Sequence, residues 1–347
     1  MLHFDSDYME TAHPAILHRF SEIIGEQNTG YGFDRYTKRA AEKIAAACGK
    51  PDALVKFLVG GTQTNATVID AFLRKFEGVI SVAAGHIATH EAGAIEGSNH
   101  KVLPIEGRNG KVTKEVLAAY LKDFYDDENY EHMVLPKMVY ISHPTEDGTL
   151  YTRDELRSLR EICDQYHLYL YLDGARMGYG LTAPGTDVTL KDIAEYCDAF
   201  YIGGTKVGAM CGEAVVIPDP QVVPYFFTHI KQHGALLAKG WVLGLQFDVL
   251  MEDGLYLKIA EHADRLADRL RDALEALGVP FLVPGVTNQL FPILPDTVLA
   301  ALGEKYVFCE QERVDESHRA VRFCTSWATR EEAVDELCAD LRLLLKQ

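Results

Sequence analysis

Lys206 stands in the stretch YIGGTKVGAM, residues 201–210, with two glycines close before it and small or apolar residues around it. No long polar neighbour shields its amine, so the small side chains are expected to let a bulky group come close. Asp173 closes the apolar run LYLYLD (168–173) and is followed by glycine. A carboxylate at the C-terminal end of a buried strand lies at the edge where open α/β sheets bind ligands. Without a ligand, the same aspartate would cap the next turn, and the same lysine would be a surface residue. The two are 33 positions apart, the span of one βαβ unit, which brings both to C-terminal strand edges of one sheet. A lysine and a carboxylate facing each other across a ligand site suit pyridoxal 5'-phosphate. The lysine forms a Schiff base with the cofactor aldehyde, and the carboxylate pairs with the pyridinium nitrogen and keeps the ring an electron sink.

Other residues fit around that pair. In LVGGTQTN, glycines lie between an apolar run and a helical pattern. Backbone N–H groups there can approach an anion, and the helix N-terminus favours its charge. Gly61, Thr62 and Gln63 are thus candidates to hold a phosphate. The GK[ST] ending of a P-loop and the GxGxxG dinucleotide fingerprint are both missing. His86, in AAGHIATHEAGA, follows a strand end and could lie flat on an aromatic cofactor, although loop histidines are common in such places. His90 and Glu91 are near it, but the HExxH order of a zinc protease is absent, so no metal is expected. Arg322 sits in the apolar stretch AVRFCTSW. An arginine there needs a partner, either an internal carboxylate or a substrate carboxylate held by its bidentate fork. Cys324 in the same stretch reads as core packing.

The elements that must position these residues alternate in type. LVKFLVG (54–60), GVISVAA (78–84), KMVYISH (137–143), LYLYLD and AFYIGG are strand candidates. Helical patterns lie between them: Val68, Ile69, Phe72, Leu73 and Phe76 recur at helical spacing. A capping box, Thr152 with Glu155, opens another helix. Continuous apolar runs such as LYLYLD suit parallel strands covered on both faces. The rhythm predicts an α/β layer with a mostly parallel sheet. Beyond about residue 255 the texture changes. Leu266, Leu270, Leu274 and Leu277 share one face of a long amphipathic helix, with Gly278 placed as its C-terminal cap. TNQLFPIL and AVRFCTSW are strands, and a closing helix starts with a second box, Thr329 and Glu332. The expected organisation is an arm over 1–25, a large cofactor-binding α/β domain over 26–250, and a small α+β domain over 251–347.

Bulk properties exclude some functions. The 34 basic residues against 51 acidic give a net charge of −17, which argues against a nucleic-acid surface or binding to anionic membranes. Seven cysteines, an odd number without a CxxC pair, indicate neither a disulfide framework nor a zinc site. The N-terminal stretch MLHFDSDYMETAHP is acidic and lacks the apolar core of a signal peptide, and no run is long and apolar enough for a membrane span. A cytoplasmic location is expected.

Taken together, the motifs resemble the low-specificity threonine aldolase and β-eliminating lyase family of pyridoxal-phosphate enzymes, of fold type I. The resemblance is carried by FDSD near the start, GYGFD (30–34), GGTQTN, GHIATHEAGA, YLDGARMG, YIGGTK and VRFCTSWAT, in that order along nearly the whole chain. It implies that Lys206 holds the cofactor, Asp173 its ring nitrogen, and Arg176 lies near the ring's phenolic oxygen and the substrate. It implies that His86 stacks on the ring and that Gly61 and Thr62 hold the phosphate. Ser6, Arg176 and Arg322 would clamp the substrate carboxylate. A neighbouring subunit would complete the site in a homodimer or homotetramer, with Tyr31 at that boundary.

The sequence departs from the family pattern at two places. Where the family carries a histidine in a Thr-His-Asn-Gly context, this chain has Glu146 in SHPTEDG. His143 is close by in sequence and could take that histidine's place. The segment that carries a phosphate-binding arginine in the family reads HIKQHGALLAKG, so Lys231 or Lys239 would supply the charge as a point charge rather than a fork. The implied reaction is retro-aldol cleavage of a small β-hydroxy-α-amino acid to glycine and an aldehyde. His86 or Glu146 would be its base, a role that for a carboxylate requires burial. The alternative on the same cofactor is β-elimination or racemisation.

Overall fold

The computed structural model describes residues 1–346. The chain begins with a two-residue strand, β1 (Leu2–His3), and continues into a seven-stranded sheet. The strands of that sheet are β2 (Leu54–Leu58), β3 (Glu77–Val82), β4 (Lys101–Ile105), β5 (Leu135–Ser142), β6 (Tyr169–Asp173), β7 (Ala199–Gly203) and β8 (Glu213–Ile217). Their spatial order is β2-β8-β7-β6-β5-β3-β4. Only β8 runs against the others, pairing antiparallel with both β2 and β7.

Helices cover both faces, and the strands show it in their side chains. Val139 and Ile141 of β5, Leu170 and Leu172 of β6, and Phe200 and Ile202 of β7 enter one core. Their alternates, Met138 and Tyr140, Tyr171, and Ala199 and Tyr201, enter the core on the opposite face. With both faces buried, a strand has no polar alternation to display, which is why LYLYLD reads as a continuous run. The helix Arg153–Gln165 starts with the expected capping box of Thr152 and Glu155.

A third core joins Leu266, Leu270 and Leu274 of the helix Leu255–Ala276 to a smaller sheet and to the closing helix Glu331–Leu344. The helix 255–276 ends before Gly278, whose φ of +72° is the left-handed conformation of a glycine cap. TNQLFPIL is divided into β9 (Gln289–Leu290) and β10 (Ile293–Pro295). The remaining strands are β11 (Tyr306–Val307), β12 (Cys309–Arg313) and β13 (His318–Cys324), with β13 between β10 and β12. The second capping box does not form. The closing helix begins one residue later than that box requires, with Arg330 at its N-cap position, and the Thr329 hydroxyl instead accepts from the Ser326 N–H at 2.7 Å.

The first residues tie the two regions together. β1 pairs in parallel with β11, Phe4 is buried in the third core, and the Cys324 N–H donates to the Phe4 carbonyl at 2.7 Å. Asp5, Ser6 and Asp7 follow this seam directly toward the edge of the large sheet.

Candidate active site

A cavity of about 380 Å³ opens at the sheet edge where β3, β5, β6 and β7 end. Each strand or its following turn adds a piece. Gly60 and Gly61 follow β2, His86 follows β3, Glu146 follows β5, Asp173 ends β6 and Lys206 follows β7. Because β8 runs the opposite way, its first residue, Glu213, reaches the same edge. Lys206 and Asp173 therefore share one concave wall.

Asp173 is 5% exposed and fully engaged. One carboxylate oxygen accepts from the Tyr201 hydroxyl at 2.5 Å and the Ala175 N–H at 2.9 Å. The other accepts from the Tyr140 hydroxyl at 2.6 Å and the Asn65 amide at 3.0 Å. Burial alone would raise its pKa, but these hydrogen bonds outweigh burial and hold it below the ordinary carboxylate value. Asn65 also donates to Glu91 at 2.7 Å and accepts from the Tyr171 hydroxyl at 2.8 Å. Glu91 is buried and lies 2.8 Å from Nδ1 of His86. That hydrogen bond raises the imidazole pKa against the lowering effect of burial, and Asp173 adds to the rise.

Glu146 accepts from the His86 N–H at 3.0 Å and from the Ser142 hydroxyl at 2.7 Å, both at Oε1. Burial raises its pKa, and these hydrogen bonds oppose the rise. Arg176 lines the cavity but is claimed from within. Its guanidinium forms a bidentate pair with buried Asp7, at 2.8 and 3.0 Å, and Asn288 donates to the same carboxylate at 3.0 Å. Burial lowers the Lys206 amine pKa and Arg176 pushes the same way, while Asp7, Asp173 and Glu213 act in the opposite sense. The amine lies 5.9 Å from the centroid of Tyr8.

A family model of β-eliminating lyases matches residues 3–296. The chain belongs to the β-eliminating lyase family. It is 30% identical over 322 residues to a low specificity L-threonine aldolase of Pseudomonas sp., covering 91% of this chain and 90% of that one. The aldolase of the same name from Escherichia coli K12 is 26% identical, covering 91% of each. Among solved structures, threonine aldolase of Leishmania major superposes with a TM-score of 0.96 at 42% identity, covering 99% of this chain and 100% of that one. Aspartate aminotransferase of Thermus thermophilus, at 15% identity and a TM-score of 0.72, shares the fold.

Several features of this lyase suit a phosphorylated pyridine aldehyde. The helix Gly61–Phe72 starts at the cavity without a side-chain cap. Its first intrahelical bond runs from the Thr64 N–H to the Gly60 carbonyl, so the N–H groups of Gly61, Thr62 and Gln63 have no partner within the helix. A Cβ at Gly61 would sit 3.2 Å from the Tyr201 hydroxyl. Asp173 is an ionised acceptor, and Lys206 is an amine eased toward neutrality. The Ser6 hydroxyl and the Arg322 Nε are buried without a hydrogen-bond partner among the described residues.

The remaining candidates fall in different places. Among the described residues Arg322 finds no carboxylate; it donates to the Asp5 carbonyl at 2.8 Å and to the Gln289 side chain at 3.3 Å. Ser6 and Arg322 belong to the seam behind the cavity rather than to its lining. The Gln63 side chain turns back to accept from the Val59 N–H, so only its backbone faces the helix start. Tyr31 lies in a separate groove with Phe227 and Gly240, and Lys231 stands 5.0 Å over its ring. Lys239 is exposed. His143 is fully buried and is not among the cavity's lining residues, and burial lowers its pKa to about 4.

The glycines beside Lys206 also have a different purpose from the one expected. A Cβ at Gly203 would lie 2.3 Å from the Ala175 carbonyl oxygen, and one at Gly204 would lie 2.7 Å from that of Gly212. They let backbones pass one another rather than make room for a ligand. Sequence inspection misses Asp7, Asn65, Tyr140, Tyr171, Tyr201 and Glu213, and notes Glu91 only as a metal candidate. The tyrosines carry the one available signal. A buried tyrosine hydroxyl needs a partner; Tyr140 and Tyr201 share Asp173, and Tyr171 donates to Asn65.

Proposed function

We propose that this chain is a pyridoxal-phosphate-dependent aldolase that cleaves a small β-hydroxy-α-amino acid, of the threonine or allo-threonine kind, to glycine and an aldehyde. The observation that carries this is the shared cavity wall of Lys206 and Asp173 beside a helix N-terminus. When bound, pyridoxal phosphate supplies the electron sink that makes Cα–Cβ cleavage accessible. Lys206 holds it through the side-chain amine. Asp173 holds the ring nitrogen as a carboxylate, which its four donors keep ionised at neutral pH. The backbone at Gly61, Thr62 and Gln63 holds the phosphate. His86, fixed by Glu91, covers the ring. Ser6 and Arg322 lie in the seam behind the lining, and their unspent donors make them the groups that would receive a substrate carboxylate reaching past it. Arg176 contributes through its charge, since its fork is already committed to Asp7.

The β-hydroxyl proton goes to His86 or Glu146, which the Glu146–His86 N–H bond keeps side by side. A positioned base contributes about 10²–10⁴-fold. The cavity is completed by a second copy of the chain in a dimer or tetramer, with Tyr31 and Lys231 or Lys239 at the boundary. Support for this is that Tyr31 is 45% exposed and lies in a groove of its own.

Incubation with threonine, allo-threonine or serine, followed by product analysis, tests the proposal. Glycine plus an aldehyde is the expected pair, and Lys206→Ala abolishes it together with the visible absorbance of bound cofactor. A 2-oxo acid plus ammonia (2-oxobutyrate from threonine or allo-threonine, pyruvate from serine) would assign β-elimination instead. Absence of both pairs from every substrate would overturn the aldolase assignment.

A further inference from the structure

Glu213 is a carboxyl in the cavity wall, 4% exposed, at the start of a strand whose five residues are all buried. A buried charge is retained only where something holds it. One of its oxygens accepts from the Gly204 N–H at 3.1 Å, and the other accepts from the Thr205 hydroxyl at 2.7 Å. The Thr205 oxygen in turn accepts from the Gly212 N–H at 3.1 Å. The Gly204 and Thr205 N–H groups also donate to the Gly212 carbonyl, at 2.9 and 3.2 Å. The start of β8 and the turn carrying Lys206 are thus closed into one ring of hydrogen bonds. The next residue along that turn is Lys206 itself, whose carbonyl is fixed by the Tyr179 hydroxyl at 2.5 Å.

We propose that Glu213 is a positioning residue for Lys206: it clasps the Gly204–Thr205 turn that presents the lysine, and its carboxyl shares the cavity wall with that amine. This rests on the assignment of Lys206 as the cofactor-holding amine. Three carboxyls act on Lys206: Asp7, Asp173 and Glu213. Asp7 is bound by Arg176, and Asp173 accepts from Tyr140, Tyr201, Asn65 and the Ala175 N–H. Glu213 is bonded only to neutral groups of the lysine's own turn, the Gly204 N–H and the Thr205 hydroxyl. Burial pushes its pKa up to about 8, with Lys206 pulling it down and Asp173 pushing it up. The other titratable groups near it are Tyr171, Tyr201, Tyr256 and Cys211.

The sign follows directly. An ionised Glu213 favours the ammonium, so removing the carboxyl lets the amine lose its proton at lower pH. The test is pH-dependent acylation of Lys206 in the full-length chain freed of cofactor, read by peptide mass spectrometry, for the parent, Glu213→Gln, Glu213→Ala and Glu213→Asp. In Gln and Ala variants that retain the parent's circular dichroism, the labelling midpoint falls. Lys206 is then labelled about threefold or more faster at a fixed pH below the midpoint, as half a pH unit requires. Asp keeps the charge and stays near the parent. An unmoved midpoint in whichever of Gln and Ala folds would overturn the proposal, since a purely structural residue would alter stability alone. Labelling needs no turnover, so its failure is distinguishable from failure of the aldolase assignment.

Discussion

Replacing Tyr140 by phenylalanine removes one hydroxyl from the Asp173 carboxylate, along with a long 3.4 Å bond from the Ser142 hydroxyl. The bond is 2.6 Å long and runs to a charged acceptor in a fully buried setting. Hydrogen bonds to charged groups contribute about 1.5–3 kcal/mol, against about 0.5–1.5 for neutral pairs. Asp173 keeps three donors, so the expected loss at pH 7 is about 2 kcal/mol. The comparison that isolates the charge is a double-mutant cycle with Asp173→Asn. There Tyr140→Phe removes a neutral pair, and its cost falls to about 1 kcal/mol. Urea unfolding of the cofactor-free chain, followed through Trp241 and Trp327 at fixed protomer concentration, reads all four corners. The pH dependence has a definite sign. Asp173 titrates below its unfolded value of about 3.9, so its contribution is in force above that pH and is lost as pH falls through the folded value. The penalty of Tyr140→Phe therefore shrinks in acid. Equal penalties in both backgrounds, or a penalty that is the same at low and neutral pH, would show that the hydroxyl does not solvate a charge.

Arg322→Lys keeps a cation but loses the planar fork, and KM for the amino acid should rise about tenfold or more with a smaller change in kcat, measured by initial rates. Glu91→Gln removes the charged partner of His86, so the imidazole midpoint followed by NMR should fall toward about 6.5; a midpoint that stays raised would detach His86 from Glu91. Gly61→Val adds bulk where a Cβ already meets the Tyr201 hydroxyl at 3.2 Å, and cofactor dissociation should strengthen about tenfold, corresponding to about 1.4 kcal/mol.

By itself, the sequence determined most strands of the large sheet, though not β4 or β8, and which of their ends carry chemistry. Apolar runs such as LYLYLD can satisfy their side chains only inside a layered sheet. A strand-terminal aspartate and a turn lysine one crossover apart must then meet at the sheet's C-terminal edge. Local rules also fixed the Thr152 capping box, which involves residues three positions apart. What depends on contacts between distant segments came only from the tertiary structure. Asp7 claims Arg176 across 169 positions, and Asn65 reaches Asp173 across 108. Glu213 arrives at the cavity only because β8 reverses direction in the sheet. The glycines around Lys206 are set by backbones crossing behind them, a crowding that composition cannot reveal. A side chain's chemical type is local, but its ionisation and its freedom to bind are decided by whichever remote groups fill its lone pairs and donors first.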